Sequence, residues 1–321
     1  MMLSRVADNL YWLSRYLERA EHTARLVDVT LDMIPDRKAE ASKQAWENLF
    51  DCLQLELPES GALDAYQLTY LLTFDADHAS SIVSNIAAAR ENARQIREQI
   101  SSEMWEQINR VYLDVRNTSI DDIWNNQPHL FFRMVKEGAH LFQGISDSTM
   151  NHGEGWHFIR VGQYIERAGN VASLLRIQLC EPPDEQLQAV STEQYLDWVS
   201  LLRSCTAFES YCKVYTADLR FNQIVEFLLL NEEFPHSVHF SVKMLRAALD
   251  AIADITETRK NSQVYRQIGR LKALLDFAQI DEVVDDDLGA FLDTVLQHCS
   301  QIHNTIYQTY VNYRITDKLP A

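Results

Sequence analysis

The sequence predicts an all-α fold, and three observations carry that prediction. Apolar residues recur at spacings of three and four along nearly the whole chain and almost nowhere alternate as they would in a strand. Glycine and proline are scarce, nine and seven in 321 residues, and the prolines fall where helices should stop or begin. Two long stretches, YLERAEHTARL from Tyr16 to Leu26 and YIERAGNVASL from Tyr164 to Leu174, repeat one helical pattern 148 positions apart.

The elements follow in order. A first helix over 4–34 ends at Pro35, and a second over 39–54 ends before Pro58. Helices over 63–73, 79–99 and 102–117 follow from their apolar period, and Pro128 opens another over 128–146. Six of the nine glycines lie between Gly138 and Gly169, so GISDSTMNHGEG reads as a connection between two halves, about 1–150 and 151–321. The helix over 155–180 is closed by Pro182 and Pro183. STEQ, Ser191 to Gln194, has the spacing of a capping box, in which serine and glutamine side chains satisfy opposite backbone donors, and opens a helix over 192–214. Helices over 217–230, 236–258 (after Pro235) and 262–278 come next. Asp285, Asp286 and Asp287 favour the positive amino-terminal end of a last helix over 286–314.

The repeat assigns faces. Leu10, Leu13, Leu17, Ala20, Ala24, Val27 and Leu31 form one apolar seam, and Phe158, Val161, Ile165, Ala168, Ala172, Leu175 and Leu179 form its counterpart, alanines again in the middle where another helix could approach closely. Glu18 and Arg19 fall away from the seam with Tyr11, Trp12, Arg15, His22 and Arg25; Glu166 and Arg167 do so beside Asn170. One reading is a solvated face, with Arg15–Glu18 and Glu21–Arg25 as intrahelical pairs worth about 0.2–0.5 kcal/mol each. Tyr11 and Trp12 favour the other: a helix packed on two sides, whose charges require partners. In that reading the copies meet near a pseudo-two-fold axis, with Glu18 on Arg167 and Glu166 on Arg19, or with both pairs converging on a shared ligand.

Composition bounds the function. A formal charge of −17 and a pI near 5.0 disfavour phosphate backbones and anionic membranes as partners. No stretch approaches the roughly 18 consecutive apolar residues of a membrane span, and no leader pattern opens the chain, so a cytosolic protein is expected. Cys52, Cys180, Cys205, Cys212 and Cys299 show no C-x-x-C spacing and read as small buried hydrophobes. Glu137–His140 and Glu154–His157 have the Glu-x-x-His spacing of di-iron bundles, and His236 and His239 lie three apart, but neither set composes a full ligand list, so no metal is expected. No phosphate loop, G-x-G-x-x-G or nucleophile elbow occurs, and no cofactor is expected. Arg90, Arg94 and Arg97 make a basic stripe near Glu91, Asn92 and Glu98; such a row holds carboxylates or phosphates in bidentate fashion, or lies solvated. SSEMWEQIN follows it with Glu103, Trp105, Glu106 and Asn109.

These blocks carry a resemblance. MLSRVADNLYWLSRYLERAEHTARLVD, AARENARQIREQISSEMWEQINRVY, STMNHGEGWHFIRVGQYIERAGNVASLL and FLLLNEEFPHSVHFSV together resemble the bacterial alpha-E domain family along essentially the whole chain. The resemblance implies an all-helical bacterial protein encoded beside a circularly permuted ATP-grasp-like protein and a transglutaminase-like cysteine peptidase, with a role in making or modifying a peptide. The chain departs from the family pattern at His152, where an arginine-type residue is expected, and at Gly153, where an acid is expected. Two functions follow as expectations. In the first the chain is an accessory protein presenting a peptide or carboxylate to the ATP-grasp-like partner. In the second it is an enzyme of the same pathway, using Glu18, Arg19, Glu166 and Arg167 over a polar floor of Arg90 and Asn92; the candidate binding centre as a whole is Arg15, Glu18, Arg19, His22, Arg90, Asn92, Arg94, Glu166, Arg167 and Asn170.

Overall fold

The long helix that the first apolar seam predicts is the spine of one half. In the computed structural model, which describes residues 2–36, 38–56, 64–125, 127–179, 191–256 and 263–311, it is α1, Ser4–Met33. The described residues hold fourteen α-helices and no strand. After α1 come α2 (Ala39–Cys52), α3 (Ala65–Thr73), α4 (Ile82–Gln95), α5 (Ser102–Arg116), α6 (Ile120–Asn125) and α7 (Pro128–Thr149). The second series is α8 (Glu154–Gln178), α9 (Thr192–Ser204), α10 (Phe208–Tyr215), α11 (Phe221–Leu230), α12 (Val238–Thr256), α13 (Gln263–Asp276) and α14 (Ile280–Ile306). None of these helices is long and apolar enough to cross a membrane.

The central helices α1 and α8 pack on each other because both seams and the faces opposite them are buried. Leu10, Leu13, Ala20, Ala24 and Val27 are fully enclosed, as are Val161, Ala168, Ala172 and Leu175, while Leu31 is half-buried. Each enclosed leucine contributes on the order of 1.5–3 kcal/mol. α1 also packs on α4 and α7, α4 on α5, and α5 on α7; α8 packs on α12 and α14, α12 on α13, and α13 on α14. α2 reaches across to α8, and α9 reaches across to α1. The buried side chains of both halves form one continuous apolar cluster. At the α1–α8 crossing Gly162 is required: a Cβ there would stand 2.3 Å from the Tyr11 carbonyl oxygen and 3.3 Å from the Ser14 Cβ.

Several boundaries differ from expectation, each for a local reason. The helix expected over 192–214 is two, α9 and α10, parted at Thr206 with φ of 53°. The short α6 appears where Asp122 accepts from both the amide and the hydroxyl of Ser119. GISDSTMNHGEG is mostly helical: α7 runs to Thr149, α8 starts at Glu154, and the link is only 150–153. The last helix starts at Ile280 and kinks at Asp287, whose extended backbone and Oδ1, accepting from the Ala290 amide at 2.9 Å, restart the helix near the expected position. Ser191 supplies its half of the expected box, its Oγ accepting from the Gln194 amide, while a complete reciprocal box forms at Asp64 with Gln67. Pro58, Pro182, Pro183 and Cys180 lie outside the described residues.

Candidate functional site

The glutamate–arginine pairs of α1 and α8 meet across the crossing. Arg167 donates through Nε and Nη2 to the two oxygens of Glu18, at 2.5 and 3.1 Å. Reciprocally, Arg19 donates through Nε and Nη2 to the two oxygens of Glu166. Arg15, which helical spacing would pair with Glu18, turns instead to Glu166, its Nε 2.6 Å from Oε2. Glu18, Arg167 and Glu166 are 3%, 6% and 7% exposed, and the Arg19 side chain 35%. The polar layer is therefore internal, with Arg19 at its edge. The Glu21–Arg25 pair forms along α1 as its spacing predicts and is buried too.

Electrostatics follow from that burial. Burial raises the Glu18 carboxyl above its ordinary range although Arg167 and its hydrogen bonds pull the other way. At Glu166 burial also pushes upward, but two guanidiniums outweigh it and the carboxyl lies below the ordinary range. At Glu21 burial pushes upward as well, but Arg25 and a hydrogen bond from His140 outweigh it and hold the carboxyl well below that range. Burial depresses His22 to about 4. The same cause, helped by Arg15, depresses His303 to about 4.

The two ion pairs have unlike surroundings. Around Glu18 and Arg167 the space is filled: Gln143 donates to Glu18 Oε2 at 3.2 Å, and Arg167 Nη1 donates to the Pro235 carbonyl at 3.3 Å. A recess of only about 10 Å³ remains there, between Glu21, His22, Asn170 and His236. Around Arg19 and Glu166 the molecule opens into a pocket of about 410 Å³, within the range of small-ligand sites. α1 contributes Arg15, Arg19, His22 and Thr23 to it; α8 contributes Glu166, Asn170 and Ser173; Asn85 of α4 and Cys299 and His303 of α14 add to the wall. Gln54, whose φ of 57° ends α2 in a left-handed turn, stands at the wall with Leu53.

Hydrogen bonds fix the donor pattern. Arg15 Nη1 lies 2.9 Å from His303 Nδ1 and 3.1 Å from the Tyr11 hydroxyl. A guanidinium has no acceptor, so Nδ1 carries the lone pair and the His303 proton sits on Nε2. Tyr11, 2.7 Å from the same Nδ1, is buried and pushed up to about 12. Arg19 engages Nε and Nη2, which leaves Nη1 without an acceptor among the described residues. Asn85, 1% exposed, donates Nδ2 to the carbonyls of Ser81 and Ala79, and its Oδ1 accepts nothing; His22 Nε2 is likewise buried and unpartnered.

Of the residues expected from sequence, Arg15, Arg19, His22, Glu166 and Asn170 line this pocket, with Glu18 and Arg167 directly behind. Arg90, Asn92 and Arg94 do not join them. Arg90 is held between α4 and α5 by the Asn109 Oδ1 at 2.8 Å and by the rings of Tyr112 and Trp105. Arg94 pairs with Glu91 in the open, and half-buried Asn92 lies on α4 outside the pocket lining. The stripe faces away because α4 turns its Ile86, Ala89 and Ala93 side to the core. Asn85, Cys299 and His303 carried no local signal, since only the packing of α4 and α14 on the central pair brings them to the wall. His152, at the departure from the family pattern, stacks on Trp156 at 4.1 Å, and Gly153 caps α8. Among the described residues no cluster of three or more His, Cys, Asp or Glu could hold a metal ion.

Comparison with known proteins places this geometry in a family. An uncharacterized protein of Mycobacterium bovis is 23% identical over 319 residues, covering 91% of this chain, and an uncharacterized protein of Mycobacterium tuberculosis is 22% identical over the same length. The chain spans 35% of the length of these relatives. No solved structure matches it. The family model named Alpha-E, a predicted alpha-helical domain with a conserved ER motif, matches residues 2–311, and with Glu18–Arg19 facing Glu166–Arg167 at its centre the chain belongs to that family.

Proposed function

We propose that this chain is a binding module, which holds a small carboxylate-bearing ligand of peptide kind in the pocket beside Arg19 and presents it to a partner enzyme that makes or modifies amide bonds. The observation that carries the ligand half is the contrast between the two ion pairs. Arg167 Nη1 donates to the Pro235 carbonyl, whereas Arg19 Nη1 has no acceptor among the described residues and Arg19 lines a cavity of about 410 Å³. An oxygen from a ligand would complete for Arg19 what the chain itself completes for Arg167.

The wall favours holding over turnover. A general acid or base works best with a pKa near the operating pH, and His22 and His303 both lie near 4 while burial pushes the Cys299 thiol up to about 12. The partner half rests on the family resemblance, which implies a circularly permuted ATP-grasp-like protein and a transglutaminase-like peptidase as companions. The mycobacterial relatives support it in one respect: the matched segment is about a third of each, so a segment of this kind is joined there to further polypeptide.

Two measurements test the halves separately. Calorimetric titration of the purified chain with short peptides should show binding that Arg19→Gln removes; no binding by any of them would refute the ligand half. Co-expression with the neighbouring ATP-grasp-like protein should give a complex on size-exclusion chromatography. Two separate peaks at micromolar concentration would refute the partner half.

A further inference from the structure

The pocket wall is more selective than a cationic patch, and its chemistry narrows the ligand. Three lining residues carry charge: two guanidiniums, of Arg15 and Arg19, against the one carboxylate of Glu166, which leaves one net positive charge. The charged groups behind the wall are already matched, Glu18 with Arg167 and Glu21 with Arg25. The two lining histidines stay neutral at physiological pH, since both are depressed to about 4. A dianion would bring one charge more than the wall balances, and an unbalanced charge in a partly buried site is costly.

The second feature is an acceptor without a donor. Asn85 has its orientation fixed by two N–H bonds to the Ser81 and Ala79 carbonyls, at 2.8 and 3.4 Å. That leaves Oδ1 as the only free end of a side chain that is 1% exposed and lines the pocket. Buried acceptors are nearly always satisfied, and an unmade bond there is costly. His22 Nε2 is a second unpartnered polar atom at the same wall. Neither lining cation donates to Asn85, Arg15 and Arg19 each giving Nε to Glu166.

From this pairing of one surplus positive charge with the unmet Asn85 acceptor, we infer that the pocket selects a monocarboxylate carrying an amide N–H, the chemistry of a peptide carboxy-terminus, over phosphate and over carboxylates that lack the N–H. The inference rests on the ligand half of the proposed function and adds to it the second recognition element. The carboxylate takes Arg19 Nη1, with the His303 Nε2–H as a further donor on the same wall. The amide N–H goes to Asn85 Oδ1.

The test is a titration series on the full chain at pH 7.5, followed by calorimetry or ligand-observed NMR. Its members are acetyl-Ala-Ala, the same peptide with its carboxy-terminus amidated, its N-methylated analogue without amide N–H, and inorganic phosphate. Acetyl-Ala-Ala should bind best. Amidation should weaken it by more than tenfold and N-methylation by about fivefold to tenfold, the size of one neutral hydrogen bond. Phosphate should bind more weakly than the parent peptide. In Asn85→Leu the parent and N-methylated peptides should become equal, and in Arg19→Gln all carboxylate binding should fall away. Equal binding of the N-methylated peptide to the wild-type chain, or phosphate binding tighter than the parent, overturns the inference while leaving an anion pocket in place. Equal binding of the amidated peptide overturns the underlying ligand reading as well, and the wild-type series decides all of this even if a variant fails to fold.

Discussion

Glu18 and Arg19 are neighbours in sequence but experience different environments, and their substitution should separate them. Glu18→Ala leaves Arg167 buried without its carboxylate, which should lower stability by about 3–5 kcal/mol in chemical denaturation. Arg19→Ala removes a side chain that is 35% exposed and leaves Glu166 still held by Arg15, so the loss should be about 1 kcal/mol or less. Equal effects from the two would contradict the buried layer. His22 gives a pH signature. Its folded pKa lies near 4 against an ordinary 6.5, so the unfolded chain binds the extra proton first, and the stability this residue contributes is complete above pH 6.5 and declines as pH falls toward 4. The slope should be about 1.4 kcal/mol per pH unit within that window, and His22→Gln should flatten it by that amount in denaturation series from pH 7 to 4.5. The cross-pairing of Glu18 with Arg167 was legible in the sequence because both motifs occupy one register on equivalent helices. The turn of Arg15 toward Glu166 was not, since i,i+3 spacing names a neighbour along the helix and says nothing of a carboxylate arriving from another one.

At the scale of elements, the close approach of α1 and α8 depends on one missing Cβ. Gly162→Ala would place a methyl 2.3 Å from a backbone oxygen of α1, which cannot rotate away, so the two helices must part; overpacking of this kind costs about 1–3 kcal/mol. Gly144, exposed within α7 and with open space where a Cβ would stand, should respond oppositely, Gly144→Ala raising stability by about 0.5–1 kcal/mol through helix propensity. A thermal-melt comparison of these two variants checks the crossing directly, and no change in Gly162→Ala would disprove it. Helix existence was legible almost throughout because the apolar period is set by what each helix buries. Breaks without glycine or proline were not: Thr206 adopts a left-handed conformation with no residue nearby that demands one, and the Asp287 kink leaves helical residues on both sides. The wall of the pocket was equally hidden, since Asn85 and His303 sit in ordinary helical stretches and acquire meaning only where α4 and α14 flank the central pair.

For the whole molecule, α4 and α7 pack on α1 and are bridged by α5, α12 and α14 pack on α8 and are bridged by α13, and α2 and α9 each reach the opposite long helix. The crossing of α1 and α8 makes each half dependent on the other. A chain ending near residue 150 would carry Glu18 into the open without Arg167, expose the α1 surface that α8 covers, and lose the Glu166 that Arg15 and Arg19 share. A lost buried ion partner and a bared apolar seam together are of the order of the roughly 5–15 kcal/mol by which a domain is ordinarily stable. Fragments 1–150 and 151–321 expressed separately should therefore lack a cooperative melt and dispersed amide resonances, and should regain both when co-expressed, as a one-to-one complex. Arg167→Glu in the second fragment should abolish that rescue by setting two buried carboxylates against each other, and the further change Glu18→Arg in the first should restore part of it by inverting the pair. A first fragment that folds alone with the melting temperature of the intact chain would show that the crossed pairs join two finished units; the buried layer requires that neither half be finished without the other.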